Sequence, residues 1–92
     1  MQDDEFEWDD RKAVRNISKH GVSFELARAA FDDPLAIDED DPDPDEERYN
    51  RLCRFDVSLV VVCYTERDDR TRIISARKAN QHEQLIYQNR RA

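Results

Sequence analysis

Apolar side chains between residues 9 and 20 recur at helical spacing, with Ala13, Val14 and Ile17 on one face that should meet the core. Asp9 can cap this helix and Asp10 places negative charge at the positive end of its dipole. Lys19 and His20 fall in the last turn, and Gly21, the only glycine in the chain, stands where a left-handed residue ends a helix. Ser23 caps a second helix that runs to about Phe31, with Glu25 in its first turn, Phe24, Ala27 and Phe31 on a shared face and Arg28 pointing outward. Asp33-Pro34 stops it, since proline disfavours helical geometry in the preceding residue.

From there the period shortens. Leu35-Ala36-Ile37 reads as a short edge strand, and residues 38–47 as a self-repelling acidic loop with two prolines. Arg48–Phe55 and Val57–Thr65 read as strands around a turn at Asp56; the second lacks polar alternation, as expected of a central strand covered on both faces. Glu66–Arg70 is a charged turn. Thr71–Arg77 alternates, with Ile73, Ser75 and Arg77 on one side and Arg72, Ile74 and Ala76 on the other. A last helix spans about Asn80 to Arg91, supported by Leu85 and Ile86 and by Arg90-Arg91 at its C-terminal end. The order ααββββα predicts an α+β domain with a four-stranded, mainly antiparallel sheet, occupying residues 1–92 without repeat or linker.

Composition changes this picture in two places. Charged residues form 40% of the chain and its net charge is −7, yet residues 1–47 carry 17 acidic and 5 basic side chains while residues 48–92 carry 5 and 10. The acidic total argues against an ordinary nucleic-acid-binding domain, but a local basic surface from the second half remains open to it, as does a merely solvated charged face. Secondly, Cys53 and Cys63 are too few for a disulfide scaffold or a cysteine zinc site, and lie at unequal distances from the Asp56 turn. They are expected as reduced thiols. With an acidic rather than basic-then-apolar start and no long apolar run, the expected setting is the cytoplasm, away from any membrane.

Several phrases are recognisable: Phe6-Glu7-Trp8-Asp9, Lys12, Asn16, Lys19-His20-Gly21-Val22-Ser23-Phe24, Asp33-Pro34, Glu46-Glu47-Arg48-Tyr49, Tyr64-Thr65-Glu66-Arg67 and Arg72-Ile73-Ile74-Ser75-Ala76-Arg77-Lys78-Ala79. In order and separation, from about residue 6 to 87, they resemble the BrnT family of type II toxin–antitoxin systems. The resemblance implies a RelE-like fold and metal-independent RNA cleavage that inhibits translation. It also implies neutralisation by a BrnA-type antitoxin whose ribbon-helix-helix domain binds DNA, so that the toxin meets DNA only through that complex. Two features depart from the family: Cys53 stands in a stretch where glycines are common, and Asn80-Gln81-His82-Glu83-Gln84 replaces a commonly basic run.

A ribonuclease without metal needs a base for the 2′-hydroxyl proton, cations for the phosphorane oxygens and an acid for the leaving 5′-oxygen. His20 suits acid–base work because an ordinary imidazole titrates near pH 6.5, with Lys19 as a phosphate-binding charge; both also suit simple helix capping. Arg67 and Arg77 would converge over one sheet face if the turn between their strands is tight, unless Glu47, Glu66 or Asp68 claims them. Arg48 and Lys78 are expected RNA contacts, Tyr64 either stacks a base or sits in the core, and Glu47 is either the base or an arginine partner. No cofactor or metal is expected. Asp41, Asp43 and Asp45 copy the start of a calcium loop, but Glu46 stands where glycine is needed and Leu52 where the bidentate glutamate belongs. A non-catalytic module that keeps only the partner interface is the alternative.

Overall fold

The computed structural model describes residues 1–43 and 45–91, the last in backbone only; Pro44 in the acidic run and the Arg91 side chain lie outside the described residues. The elements are β1 (Phe6–Glu7), α1 (Asp10–His20), α2 (Phe24–Phe31), β2 (Ile37–Asp41), β3 (Arg48–Phe55), β4 (Ser58–Arg67), β5 (Arg70–Lys78) and α3 (Gln81–Arg91). The α+β class is as expected, but the sheet has five strands rather than four, in the order β1-β5-β4-β3-β2. β1 pairs parallel with β5 and the other pairs are antiparallel. No helix among the described residues is long and apolar enough to cross a membrane.

Both N-terminal helices begin and end where capping chemistry puts them. Asp9 accepts from Arg11 and Lys12 N–H, Gly21 turns left-handed at φ 70°, and the Ser23 hydroxyl accepts from Leu26 N–H. α2 is the apolar one: Phe24, Ala27, Ala30 and Phe31 are buried against Val60, Val62 and Tyr64 of β4 and Ile73 and Ala76 of β5. α1 is held differently. Val14 and Ile17, expected in the core, are 68% and 50% exposed. The buried residue is Asn16, whose amide donates to the Val22 and Ala76 carbonyls, both at 2.8 Å, and accepts from Ala76 N–H at 3.2 Å. Beyond β1, therefore, a side chain rather than a strand satisfies the edge of β5. Arg28, expected to point out, ion-pairs with Asp3 and lies over the Phe6 ring.

The acidic run is not all loop. Its first residues extend the expected strand from Ile37 to Asp41, because Arg51 and Arg48 on β3 stand opposite Asp38 and Asp41 and pair with them across the ladder at 2.8 and 3.1 Å. On the opposite side of the sheet from α1 and α2, a smaller apolar group of Leu52, Val61, Ala79 and Tyr87 seats α3 through one ring. Leu85 and Ile86, read as that helix's anchors, are 53% and 37% exposed. Cys53 faces the main core opposite Val60, while Cys63 stands opposite Asn50 on the other face. The two thiols are free and point apart, and burial pushes the Cys53 thiol up to about 12.

Candidate active site

Alternation along the strands decides which face can meet a substrate. Val60, Val62 and Tyr64 on β4 turn toward α1 and α2, so Val61, Cys63, Thr65 and Arg67 turn away, as do Leu52, Asn50 and Arg48 on β3 and Arg77 on β5. Among the described residues only α3 sits on that second face, at its Leu52–Val61 end.

Arg77 is oriented by a specific set of bonds. Asn80 caps α3, accepting from Glu83 N–H at 2.8 Å, and the Glu83 carboxylate reaches back to Asn80 N–H at 2.9 Å. The same carboxylate accepts from Arg77 Nη1 and Nη2 at 2.8 and 2.9 Å, and Nη1 also donates to the Lys78 carbonyl. Each partner favours the charged form of the other: the pair holds the Glu83 carboxyl below its ordinary range and raises the guanidinium. A guanidinium has five N–H donors in a fixed plane. Glu83 takes the Nη1/Nη2 edge and the carbonyl the second Nη1–H, so among the described residues Nε–H and the second Nη2–H have no partner and form a two-pronged fork on a half-exposed side chain. The capping role predicts a graded response in urea unfolding. Glu83→Gln keeps an acceptor for Asn80 N–H and changes stability by about 0.5 kcal/mol or less, whereas Glu83→Ala costs about 1 kcal/mol.

Arg77 borders a cleft of about 360 Å³ lined also by Ile37 and Glu39 from β2, Asn50 and Leu52 from β3, Val61 from β4, and His82, Glu83 and Ile86 from α3. Sequence reasoning did not single out His82, Glu39 or Glu83. The signal for Glu83 was present, since Asn80-x-x-Glu83 has the spacing of a capping box. His82 and Glu39 become visible only once α3 and β2 are laid on the sheet.

The four cations expected in one pocket are divided. Arg77 stands opposite Val61, and Arg67 lies six residues further along β4 at the hairpin end, opposite Arg70. At ~3.3 Å per residue the two arginines share a face but stand roughly 20 Å apart. A tight turn places Arg67 beside Arg70, not beside Arg77; convergence is thus corrected to a line along the sheet. The Asn16 bonds to Ala76 set the last turn of α1 alongside the C-terminal end of β5, so Lys19 and His20 share that end with Arg77 and Lys78. Neither lines the Arg77 cleft. Lys78 pairs with Val60 and lines a different cavity of about 670 Å³ with Gly21, Arg54 and Tyr87. Among the described residues Lys19, His20, Arg67 and Lys78 have no ion-pair partner.

At the far end, Arg67 shares a cleft of about 450 Å³ with Lys12, Arg48, Thr65 and Arg72. Arg48 there is enclosed by Asp41, Asp43 and Glu46 at 3.1, 3.2 and 3.9 Å, so its charge is met within the chain. Tyr64 is 5% exposed, packed edge-on against Phe31, and donates to Asp38; burial pushes its phenol up to about 12. It is a core ring with no face for a base, which corrects the stacking expectation. Glu47 is exposed and raises the Tyr49 phenol beside it, so its neighbour is a tyrosine instead of an arginine.

Two comparisons with known proteins bear on the chain. Residues 8–83 match the family described as the ribonuclease toxin, BrnT, of type II toxin–antitoxin systems. A comparison with curated proteins finds no match.

Proposed function

Because the chain belongs to the BrnT family of ribonuclease toxins, we propose that it is a metal-independent endoribonuclease whose RNA lies along the sheet face opposite α1 and α2. The observation that carries this reading is Arg77: its side chain borders a cleft on the open face with Nε–H and one Nη2–H uncommitted. A guanidinium edge of that kind matches two phosphate oxygens, and charge growing on a phosphorane is best met by donors already in place. Arg67, further along the same face, anchors the strand away from the reacting bond, and Arg48 adds to that end where its carboxylate partners yield to phosphate. Lys19 and Lys78 supply positive charge where the strand leaves β5, with His20 next to Lys19 in the chain.

The helix pair followed by a largely antiparallel sheet supports a RelE-like arrangement and, with it, inhibition of translation in the cytoplasm. A type II toxin implies an antitoxin. The partner proposed is of the BrnA type, carrying a ribbon-helix-helix domain, with DNA bound only through the complex.

The test uses purified protein and RNA in excess chelator. Cleavage that persists, with 2′,3′-cyclic phosphate and 5′-hydroxyl ends, is the expected result. Cleavage abolished by the chelator and restored by a divalent ion overturns the metal-free mechanism. The second reading, a partner-binding module without activity, is favoured by one observation: Arg48 and Arg77 are both paired internally with carboxylates. Intact RNA, together with no growth arrest on induction, would decide for it.

A further inference from the structure

We propose that His82 and Glu39 are the acid and base of RNA cleavage in the Arg77 cleft; this rests on the reading that the chain cuts RNA at Arg77. Three elements bring the required chemistry into one concavity: β2 supplies Glu39, β5 supplies Arg77 and the first turn of α3 supplies His82. Glu83 lines the same cleft, but its oxygens are taken by Arg77 and by Asn80 N–H, which makes it a positioning residue instead of a proton acceptor. Glu39 is exposed and has no hydrogen bond or ion pair to its side chain among the described residues, so its carboxylate is free to accept. Ile37, Leu52, Val61 and Ile86 give the cleft an apolar floor and wall suited to a ribose.

The chemistry balances without a further reactant. Glu39 accepts the 2′-hydroxyl proton as the 2′-oxygen bonds to phosphorus. The P–O5′ bond breaks, and the departing 5′-oxygen takes a proton from the His82 imidazolium. Arg77 bonds the non-bridging oxygens as they gain charge. The products are a 2′,3′-cyclic phosphate and a 5′-hydroxyl, and exchange with water restores both side chains.

The experiment measures kcat and KM for RNA cleavage by His82→Ala and Glu39→Gln, both surface changes that leave the core intact. Each is expected to lower kcat by about 10²-fold or more with a much smaller change in KM. A substrate whose 5′-bridging oxygen is replaced by sulfur needs no proton on its leaving group, so it should restore His82→Ala and not Glu39→Gln. A merely structural histidine would give no such rescue. Wild-type kcat in His82→Ala overturns the proposal, and so does failure of the thio substrate to rescue. Wild-type cleavage by Arg77→Ala would instead remove the underlying reading of the site, which separates the two failures.

Discussion

Arg77→Ala lowers kcat/KM for RNA cleavage by about 10²–10³-fold, the usual cost of losing one preorganised electrostatic donor. The side chain is 44% exposed and contributes nothing to either apolar cluster, so the variant stays folded. Its pair with Glu83 is partly solvated, and losing it costs about 0.5–1 kcal/mol of stability. Arg77→Lys keeps the charge but not the planar fork, and should recover only part of the activity. Initial rates on a defined RNA, with circular dichroism as the folding control, decide the matter; wild-type rates in the alanine variant would end the assignment.

Asn16→Ala has the largest expected effect on stability. Its amide meets three backbone groups, Val22 O, Ala76 O and Ala76 N–H, and the residue is 7% exposed. Truncation leaves those groups without partners where water enters poorly, at ~1–3 kcal/mol for each group that stays unsatisfied. A loss of about 3 kcal/mol lowers the melting temperature of a domain this size by roughly 12–24 °C. Asn16→Asp should be no better, because the carboxylate keeps an acceptor but loses both donors. Thermal unfolding gives the answer, and a melting point close to wild type would show that α1 is held by its other contacts.

The helix ends were legible because their chemistry is local. Asp9, Gly21 and Ser23 act within one turn of themselves, and all three cap as their residue types dictate. The amphipathic face of α1 was misread because a polar residue outcompetes apolar ones there: Asn16 supplies what an unpaired strand edge lacks, and Val14 and Ile17 turn to solvent. β1 is two residues long and exists only through its pairing with Thr71 and Arg72, beyond the reach of any period. The acidic part of β2, beyond the expected edge strand at Ile37, escaped because aspartate and glutamate disfavour strands, and the arginines opposite them lie 7 to 13 residues away.

For the site, residue type was readable and grouping was not. Arg77 stood out as a cation on an alternating strand, and it turns from α1 and α2 because Ala76 faces them; the irregularity at Cys63/Tyr64 breaks the alternation, so that Ile73, read on Arg77's side, lies in the main core. What alternation cannot give is distance along the hairpin, which sets Arg67 far from Arg77 despite the tight turn. Nor can it show that α3 folds back over the sheet, bringing His82 and Glu83 to Arg77. Tyr64 was open to two readings, and its pairing with Asp38 shows it as a core ring.

The carboxylates along β2 also govern how the molecule treats its own kind. An outermost strand normally offers its spare amides and carbonyls to any extended chain that drifts past, and aggregation begins there. Here Asp38 and Asp41 are neutralised by Arg51 and Arg48, but Glu39 and Asp40 between them have no ion-pair partner among the described residues, so two copies approaching along that margin repel each other before backbones can join. Salt screens exposed charges of this kind, so self-association of the folded protein should rise with ionic strength.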